Sequence, residues 1–283
     1  HGPGNYSGYL NFTGYAVGGP TGLNSILCRT WFVQYWIKLI DFDWGTGTYG
    51  SANQHLSNIK FLRLWNPGNT KENFYTQFWW GLSGNSYSAP ENVPEQAPKN
   101  YDNNLSKITL SDGEWHLLQF EFIDSSSAGV ADAKFKVWHN GTLVENRSGF
   151  VGRTTELLKR PFFIGFFNAW GPNTASGETD RGPNHYYIDD IYASPTLARV
   201  ELGNASTYEN CTHREIQPPT SWTSTSIKLS FNQGSFSLGD SAYLFVIDTD
   251  GVASSGFPVT IGSDYPGRST SSPPTLINIT PAQ

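Results

Sequence analysis

The sequence predicts an all-β protein, and three observations lead to that fold class. Aromatic residues make up 15% of the 283-residue chain, and charged residues only 15%. Gly and Pro, which mark turns, occur 29 and 17 times, and no stretch shows the 3.6-residue hydrophobic period of an amphipathic helix. Instead, short runs that are aromatic or alternate between apolar and polar residues follow one another between turn signals, as in β-sandwiches.

Four such runs lie between residues 113 and 194. They read G-E-W-H-L-L-Q-F-E-F, F-K-V-W-H-N-G-T-L-V, R-P-F-F-I-G-F-F and N-H-Y-Y-I-D-D-I-Y-A-S. Within the second run, Asn140-Gly141 is a two-residue turn signal of the kind that closes hairpins. Three more strands are predicted upstream, at residues 31–40, 59–65 and 74–80, and residues 83–104 are expected to form a long surface loop.

The four runs, in their order, resemble the C-terminal half of a concanavalin A-like jelly roll of the laminin-G or legume-lectin type. The resemblance implies a jelly-roll β-sandwich over residues 1–198. Beyond Pro195 the strands are short and evenly spaced, which predicts a small immunoglobulin-like sandwich over residues 199–262, similar to modules of secreted bacterial proteins. Residues 263–283, rich in Ser, Thr and Pro, are expected to be a tail or linker.

The charge balance and the absence of long apolar runs exclude some partners. A net charge of −6 argues against nucleic acid, because no basic stripe is available to neutralise phosphates. No apolar run approaches the ~20 residues that a transmembrane helix needs. A secreted or cell-surface protein is expected, and the lack of Met indicates that a signal peptide was removed or that the chain was cut from a longer one.

Two kinds of covalent chemistry follow from the composition. Cys28 and Cys211 are candidates for a single disulfide bond in an exported protein, with two free thiols as the alternative. The chain also contains eight Asn-X-Ser/Thr sequons, which permit N-glycosylation in a competent host. They begin at Asn5, Asn11, Asn104, Asn140, Asn146, Asn204, Asn210 and Asn278.

Alternation divides each upstream strand into an apolar face and a mixed face. Trp31, Val33, Tyr35, Ile37 and Leu39 form the apolar face of the first strand and are expected to lie between the sheets. The mixed faces of the three strands, which include Gln34 and Lys38, are expected to share a concave outer surface. Aromatic rings pack against the C–H faces of sugars, and polar neighbours bind the hydroxyls. The predicted ligand-binding residues are Trp36, Arg63, Trp65, Tyr75, Gln77 and Trp79; the alternative is that these aromatics only pack under the 83–104 loop or against the second module.

Catalysis is a weaker prediction. Hydrolases of this fold carry closely spaced acidic motifs, whereas Glu114 and Glu121 lie seven residues apart on one strand. Polysaccharide lyases neutralise a uronate carboxylate with Arg, Gln or Asn and move protons with His or Tyr. The candidate lyase residues are Arg63, Tyr75, Gln77, Lys38 and His185, and further histidines are His55, His116 and His139. The known lyase motifs are absent from the sequence.

One structural Ca²⁺ is the expected cofactor. Asp189 and Asp190 on the final jelly-roll strand are the preferred ligands, since related folds hold Ca²⁺ with such an Asp and backbone carbonyls. The sequences D-F-D-W-G (41–45) and D-T-D-G (248–251) are alternatives, although the second is also an ordinary hairpin turn.

The most favoured function is therefore extracellular polysaccharide binding. A polysaccharide lyase acting on a uronate-containing polymer is the first alternative. The second is a structural or adhesive subunit whose exposed aromatic residues mediate self-association.

Overall fold

The structure, a computed structural model, describes residues 8–9, 27–40, 58–65, 73–79, 85–91, 110, 113–161, 185–262 and 277–279. These ranges contain antiparallel strands and no α-helix, which confirms the all-β class. The chain divides into two compact units. One comprises Ser7–His139 and Leu143–Pro195, and the other His1–Tyr6, Asn140–Thr142 and Thr196–Gln283. No helix in the described ranges is long and apolar enough to cross a membrane.

The first unit contains two antiparallel sheets. Its strands are β1 (Gly8–Tyr9), β2 (Thr30–Ile40), β3 (Asn58–Trp65), β4 (Asn73–Trp79), β5 (Asn85–Glu91), β6 (His116–Ile123), β7 (Ala133–His139), β8 (Thr142–Phe150), β9 (Arg160–Pro161) and β10 (His185–Ser194). A six-stranded sheet has the order β1-β10-β2-β6-β7-β8, and a four-stranded sheet has the order β5-β4-β3-β9.

The upstream strands and the predicted hairpin agree with the sequence analysis. Strands β2, β3 and β4 begin and end within one residue of their predicted bounds. Asn140 and Gly141 connect β7 to β8 with φ values of 46° and 78°, which a two-residue hairpin turn of this type requires at both positions. Of the run R-P-F-F-I-G-F-F, the structure describes only Arg160–Pro161, as β9.

The expectation of a long loop over residues 83–104 is wrong for its first part. Asn85–Glu91 forms β5, which pairs with β4 along its whole length. The sequence pattern did not indicate this strand, because the strand contains Pro90 and few apolar residues. An edge strand tolerates both, since its outer side makes no ladder hydrogen bonds.

The core of the first unit lies on one face of the six-stranded sheet. The predicted apolar set of β2 is buried there with alternate residues of the neighbouring strands. Leu64 of β3 belongs to the same cluster, so the four-stranded sheet contributes to this core and the unit is a sandwich. The cluster comprises Trp31, Val33, Tyr35, Ile37, Leu39, Leu64, Leu110, Leu118, Phe120, Phe122, Ala133, Phe135, Val137, Phe150 and Ile188.

An ion pair lies inside this unit. Nζ of Lys159 is 2.8 Å from Oδ2 of Asp124, and both side chains are 0% exposed. The ammonium also donates to the carbonyl oxygen of Gly152 at 2.6 Å. The carbonyl oxygen of Lys159 accepts from Cys28 N at 3.1 Å and from Trp31 Nε1 at 2.9 Å. A Cβ at position 152 would lie 2.2 Å from Oδ1 of Asp124, so the pair also requires the glycine.

The second unit is a smaller two-sheet sandwich. Its strands are β11 (Arg199–Gly203), β12 (Arg214–Ile216), β13 (Pro219–Trp222), β14 (Ile227–Leu229), β15 (Ser241–Ile247), β16 (Phe257–Thr260) and β17 (Ile277–Ile279). They form sheets of the orders β12-β11-β15-β16 and β13-β14-β17. One core joins the two sheets, with Val200 and Leu244 from the first and Ile227 and Leu229 from the second. The immunoglobulin-like assignment stays a prediction.

The expected tail contributes a strand to this unit. Ile277–Ile279 is β17, and its residues pair with Leu229, Lys228 and Ile227 of β14. The alternation Ile-Asn-Ile suits a third strand, which the Ser- and Pro-rich residues around it concealed. The remaining residues of 263–283 lie outside the described ranges.

A charged network supports the four-stranded sheet of this unit. Glu201, 0% exposed, accepts from Nε of Arg199 and lies 3.6 Å from Nε of Arg214. The hydroxyl of Tyr208 donates to Oε1 of Glu201 at 3.1 Å and accepts from Nη2 of Arg199 at 3.0 Å. Burial, together with the charge of Glu201, raises the pKa of Tyr208 well above its ordinary value. The phenol therefore stays neutral and able to donate.

The structure has Cys28 and Cys211 as free thiols. Because the two cysteines belong to different units, the disulfide between them stays a prediction. Cys211 is 1% exposed, and its Sγ donates to the carbonyl oxygens of Ala205 and Thr207. Cys28 instead forms a backbone bridge to Lys159 in the first unit. Each cysteine is thus held by contacts of its own unit, and burial raises the pKa of both thiols.

The ion pair predicts a large and non-additive effect of substitution on stability. Asp124→Asn or Lys159→Met should each lower the free energy of unfolding by about 3–5 kcal/mol, because the remaining charge is buried without its partner. The double variant should lose less unfolding free energy than the sum of the two single losses, because it leaves no unpaired buried charge. Urea denaturation measures these losses, with Lys228→Met on an exposed position of β14 as the near-neutral control; single variants that lose no more than this control would contradict the assignment.

The free thiols predict a specific labelling pattern. Ellman's reagent, applied without reductant in denaturant, should detect both thiols, since neither is oxidised. In the native protein, Cys28 should react slowly and faster as the pH rises, because its raised pKa lowers the thiolate fraction at neutral pH. Cys211 should react only after unfolding, and Cys28→Ser isolates it. A denatured chain with no reactive thiol would show that the disulfide forms after all.

Candidate functional site

The side of the six-stranded sheet opposite its core carries many polar side chains. We call this surface the polar face. Because alternate residues point to opposite sides, it is formed by the residues that alternate with the core positions of β2, β6, β7 and β10. They are Phe32, Gln34, Trp36, Lys38, Leu117, Gln119, Glu121, Lys134, Lys136, Trp138, Tyr187, Asp189, Tyr192 and Ser194.

An amide pair lies near the middle of the polar face. Gln34 and Gln119 are directly opposite in the β2–β6 register, and Nε2 of Gln119 donates to Oε1 of Gln34 at 3.0 Å. Both side chains are buried. Nε2 of Gln34 has no hydrogen-bond partner among the described residues. A buried donor without an acceptor costs free energy, and a group with an acceptor oxygen bound at this position would remove that cost.

A charged and aromatic cluster lies beside the amide pair. Glu121 is 4% exposed, and its Oε2 is 3.6 Å from Nζ of Lys136. The same ammonium is 5.7 Å from the ring centroid of Trp138, within the range of a cation–π interaction. Lys136 and Trp138 are half-buried, so this cluster connects the buried middle of the face with solvent.

Strand β10 adds a row of side chains along β2. Tyr187 is opposite Lys38, Asp189 is opposite Trp36, and Tyr192 is opposite Gln34. The register shifts between Asp189 and Tyr192, where β10 has one residue more than β2. Asp190 lies in this bulge with a φ of 48°. The extra residue brings Tyr192 onto the polar face, where its ring centroid is 6.1 Å from that of Phe32.

Part of the polar face is buried. Gln34 is 0% exposed and Trp36 only 7%. Lys38, Trp138, Tyr187 and Tyr192 are half-buried, and Lys134 is exposed. The face therefore has a buried polar floor and partly accessible tyrosine, tryptophan and lysine side chains around it.

The structure divides the predicted ligand-binding set between two sheets. Trp36 lies in the six-stranded sheet, whereas Arg63, Trp65, Tyr75, Gln77 and Trp79 lie on β3 and β4 of the other sheet. The prediction that one sheet surface unites them is therefore wrong. The backbone register does place Arg63 opposite Tyr75; the side chains of β3 and β4 residues other than Leu64 lie outside the described part of the chain.

The histidines occupy other positions. His185 is opposite Ile40 in the β10–β2 register, and its side chain lies outside the description, as does His55. His116 and His139 meet, with 2.8 Å between Nδ1 of the first and Nε2 of the second. Their strand partners are Ile37 and Leu118, which belong to the core. This pair is thus on the core side of the sheet and not on the polar face.

The calcium prediction stays a prediction. Oδ1 of Asp189 accepts from the backbone nitrogen of Asp190 at 2.9 Å, and the described residues contain no group of three or more His, Cys, Asp and Glu arranged for a metal. Residues 41–45 lie outside the described ranges. In D-T-D-G, Oδ1 of Asp248 accepts from the backbone nitrogens of Asp250 and Val252, both at 2.9 Å, so this carboxylate holds a hairpin turn.

One cluster in the second unit resembles a nucleophile with its base. Oγ of Ser235 is 2.8 Å from Nε2 of His213, and Oε1 of Glu215 is 2.9 Å from that same nitrogen. A catalytic triad needs the serine and the carboxylate on different imidazole nitrogens. This geometry therefore does not activate Ser235.

Comparison with known proteins yields weak likenesses only. No family model matches the sequence, and no curated protein matches it. The alginate lyase Aly36B is 11% identical, with a TM-score of 0.38 over 59% of this chain and 69% of that one. An endo-β-1,4-glucuronan lyase from the fungus Trichoderma reesei is 12% identical, with a TM-score of 0.35 over 60% and 70%. The cellulose induced protein Cip1 is 16% identical, with a TM-score of 0.34 over 68% and 87%. At these identities and TM-scores, the matches assign neither an activity nor a ligand to this chain.

Sequence reasoning missed most of the polar face. Six of its residues were not predicted as site residues: Gln119 and Glu121 on β6, Lys136 and Trp138 on β7, and Tyr187 and Tyr192 on β10. The alternation L-Q-F-E in β6 and K-F-K-V-W in β7 is a signal that could have found four of them. Tyr187 follows the ordinary alternation of β10, whereas Tyr192 reaches the face only because the bulge shifts the alternation.

Proposed function

We propose that this protein binds an extracellular polysaccharide through the polar face. The observation that carries the proposal is the interleaving of amide, charged and aromatic side chains on one sheet surface. Packing alone favours apolar residues on a covered sheet face, because buried polar groups cost free energy unless they are paired. Gln34 and Gln119 are bonded to each other, but Nε2 of Gln34 has no partner among the described residues, so packing alone does not account for this face.

The chemistry of the face suits a sugar chain. Partly accessible rings of Trp138, Tyr187 and Tyr192 offer flat apolar surfaces, and the lysine and amide groups offer hydrogen-bond donors. A polysaccharide presents C–H faces and hydroxyls in alternation, and it can cover a row of such positions. The secreted or cell-surface location is part of the same proposal.

The binding proposal predicts the effect of removing a ring. Trp138→Ala should weaken binding to the recognised polysaccharide at least tenfold, a loss of about 1.4 kcal/mol, since the ring and its contact with Lys136 are removed. A glycan array identifies the ligand, and isothermal titration calorimetry then measures the affinity. The matched control is Trp222→Ala, which removes an exposed tryptophan from the second unit.

The two variants separate the outcomes. Binding that is lost in Trp138→Ala and kept in Trp222→Ala supports the polar face as the site. Equal affinity in wild type and Trp138→Ala refutes that site. Absence of any glycan ligand, together with polymers that grow with protein concentration in light scattering, would favour a structural subunit instead.

A polysaccharide lyase is the second candidate, and the pairing of Lys38 with Tyr187 favours it. In such a reaction a base removes the C5 proton of a uronate, the C4–O bond breaks with formation of a C4=C5 double bond, and the leaving oxygen takes a proton. A tyrosine beside a lysine supplies a proton-transfer group and a positive charge for the carboxylate. The unpaired Nε2 of Gln34 lies on the same face.

The lyase candidate predicts a selective loss in Tyr187→Phe. This variant keeps the ring and removes the hydroxyl, so elimination should fall at least a hundredfold, as is typical for loss of a general acid or base, while binding is retained. The ultraviolet absorbance of the conjugated product measures the rate on a panel of uronate polymers. Tyr192→Phe on the same strand is the control, and a wild-type protein inactive on the whole panel would exclude the lyase.

A further inference from the structure

Among the described residues, one sequon lies on an edge strand of the six-stranded sheet. Asn146-Arg147-Ser148 is part of β8, the terminal strand in the order β1-β10-β2-β6-β7-β8. Asn146 and Ser148 are both exposed, whereas the neighbouring Glu145 is buried. The acceptor amide and the hydroxyl that a sequon requires are therefore both at the surface in the folded protein.

The other sequons with described side chains offer a less suitable acceptor or lie elsewhere. The amide of Asn204 is already fixed, because Oδ1 accepts from the backbone nitrogens of Thr212 and His213 and Nδ2 donates to Oγ1 of Thr212. Asn140 is half-buried in the hairpin turn with a φ of 46°. Asn210 is exposed, but it belongs to the second unit.

The position of Asn146 has a physical consequence. An edge strand presents unpaired backbone groups that can pair with the edge of another molecule, and proteins block such edges with charges, prolines or covering segments. Strand β8 carries two charged residues, the buried Glu145 and the half-buried Arg147, whereas its exposed positions are uncharged. They are Thr142, Leu143, Asn146, Ser148 and Gly149. A glycan at Asn146 would occupy the space beside this edge.

We propose that Asn146 is an N-glycosylation acceptor and that its glycan blocks edge-to-edge pairing through β8. The donor is a lipid-diphosphate-linked oligosaccharide of the secretory pathway. Nδ2 of Asn146 forms a bond to C1 of the first sugar, the bond from C1 to the diphosphate oxygen breaks, and the amide proton leaves to a base of the transferase. The inference rests on the secreted location proposed above, but it does not depend on the polysaccharide ligand.

The acceptor assignment is tested by expressing the full chain in a eukaryotic secretory host. Enzymatic deglycosylation in ¹⁸O-labelled water converts each occupied Asn into a labelled Asp, which mass spectrometry locates. Asn146 should be labelled, and the label should be absent in Asn146→Gln and in Ser148→Ala. Ser148→Thr keeps the sequon and should keep the label. A secreted wild-type protein that is unlabelled at Asn146 overturns the assignment.

The edge-blocking role is tested by comparing two glycan deletions. Asn146→Gln and Asn210→Gln each remove one exposed sequon, but only the first lies on β8. Light scattering after size-exclusion chromatography should show concentration-dependent association of Asn146→Gln and not of Asn210→Gln. Trimming the glycans of the folded wild-type protein to a single sugar should produce the same association without any substitution. A monomeric Asn146→Gln, or equal association of both variants, overturns the blocking role.

Discussion

The buried contact between Lys159 and Asp124 is the constraint on which the first unit depends. The ammonium of Lys159 binds the carboxylate of Asp124, which follows β6, and the carbonyl oxygen of Gly152, which follows β8. The carbonyl oxygen of Lys159 accepts hydrogen bonds from the backbone nitrogen of Cys28 and from the indole of Trp31 at the start of β2. The next residue, Arg160, pairs with Trp65 of β3 in the other sheet. Because an ammonium is stable in the interior only with its partners in place, these segments adopt one mutual arrangement.

The two sides of the six-stranded sheet differ in their chemistry. The core side is filled by large apolar residues such as Phe120 and Phe135, whose stacked rings have centroids 6.4 Å apart. The polar face instead holds an amide pair and an ion pair, and the rings beside them are partly accessible. A single strand such as β2 supplies both sides, since its residues alternate. The core gives the stability that lets the other side retain polar groups.

Local patterns were sufficient for several elements. The apolar set of β2, from Trp31 to Leu39, was predicted from alternation alone, because the same residues that alternate in sequence are buried on one side of any sheet. The turn at Asn140-Gly141 was predicted because few dipeptides accept two positive φ angles. The strand β5 and the strand β17 were missed. Their polar, Pro- or Ser-rich surroundings look like loops, and only pairing with β4 and with β14 makes them strands.

The sequence by itself determined the all-β class, the bounds of the upstream strands and the division of β2 into an apolar and a mixed side. These properties depend on residues that are near one another in the chain. Only the tertiary structure decided which mixed sides share a surface: it joined β2 to β6, β7 and β10, and it placed Arg63 and Tyr75 in another sheet. Alternation fixes the side of a strand on which a residue lies, but the neighbours of that strand are set by packing and backbone pairing between distant segments.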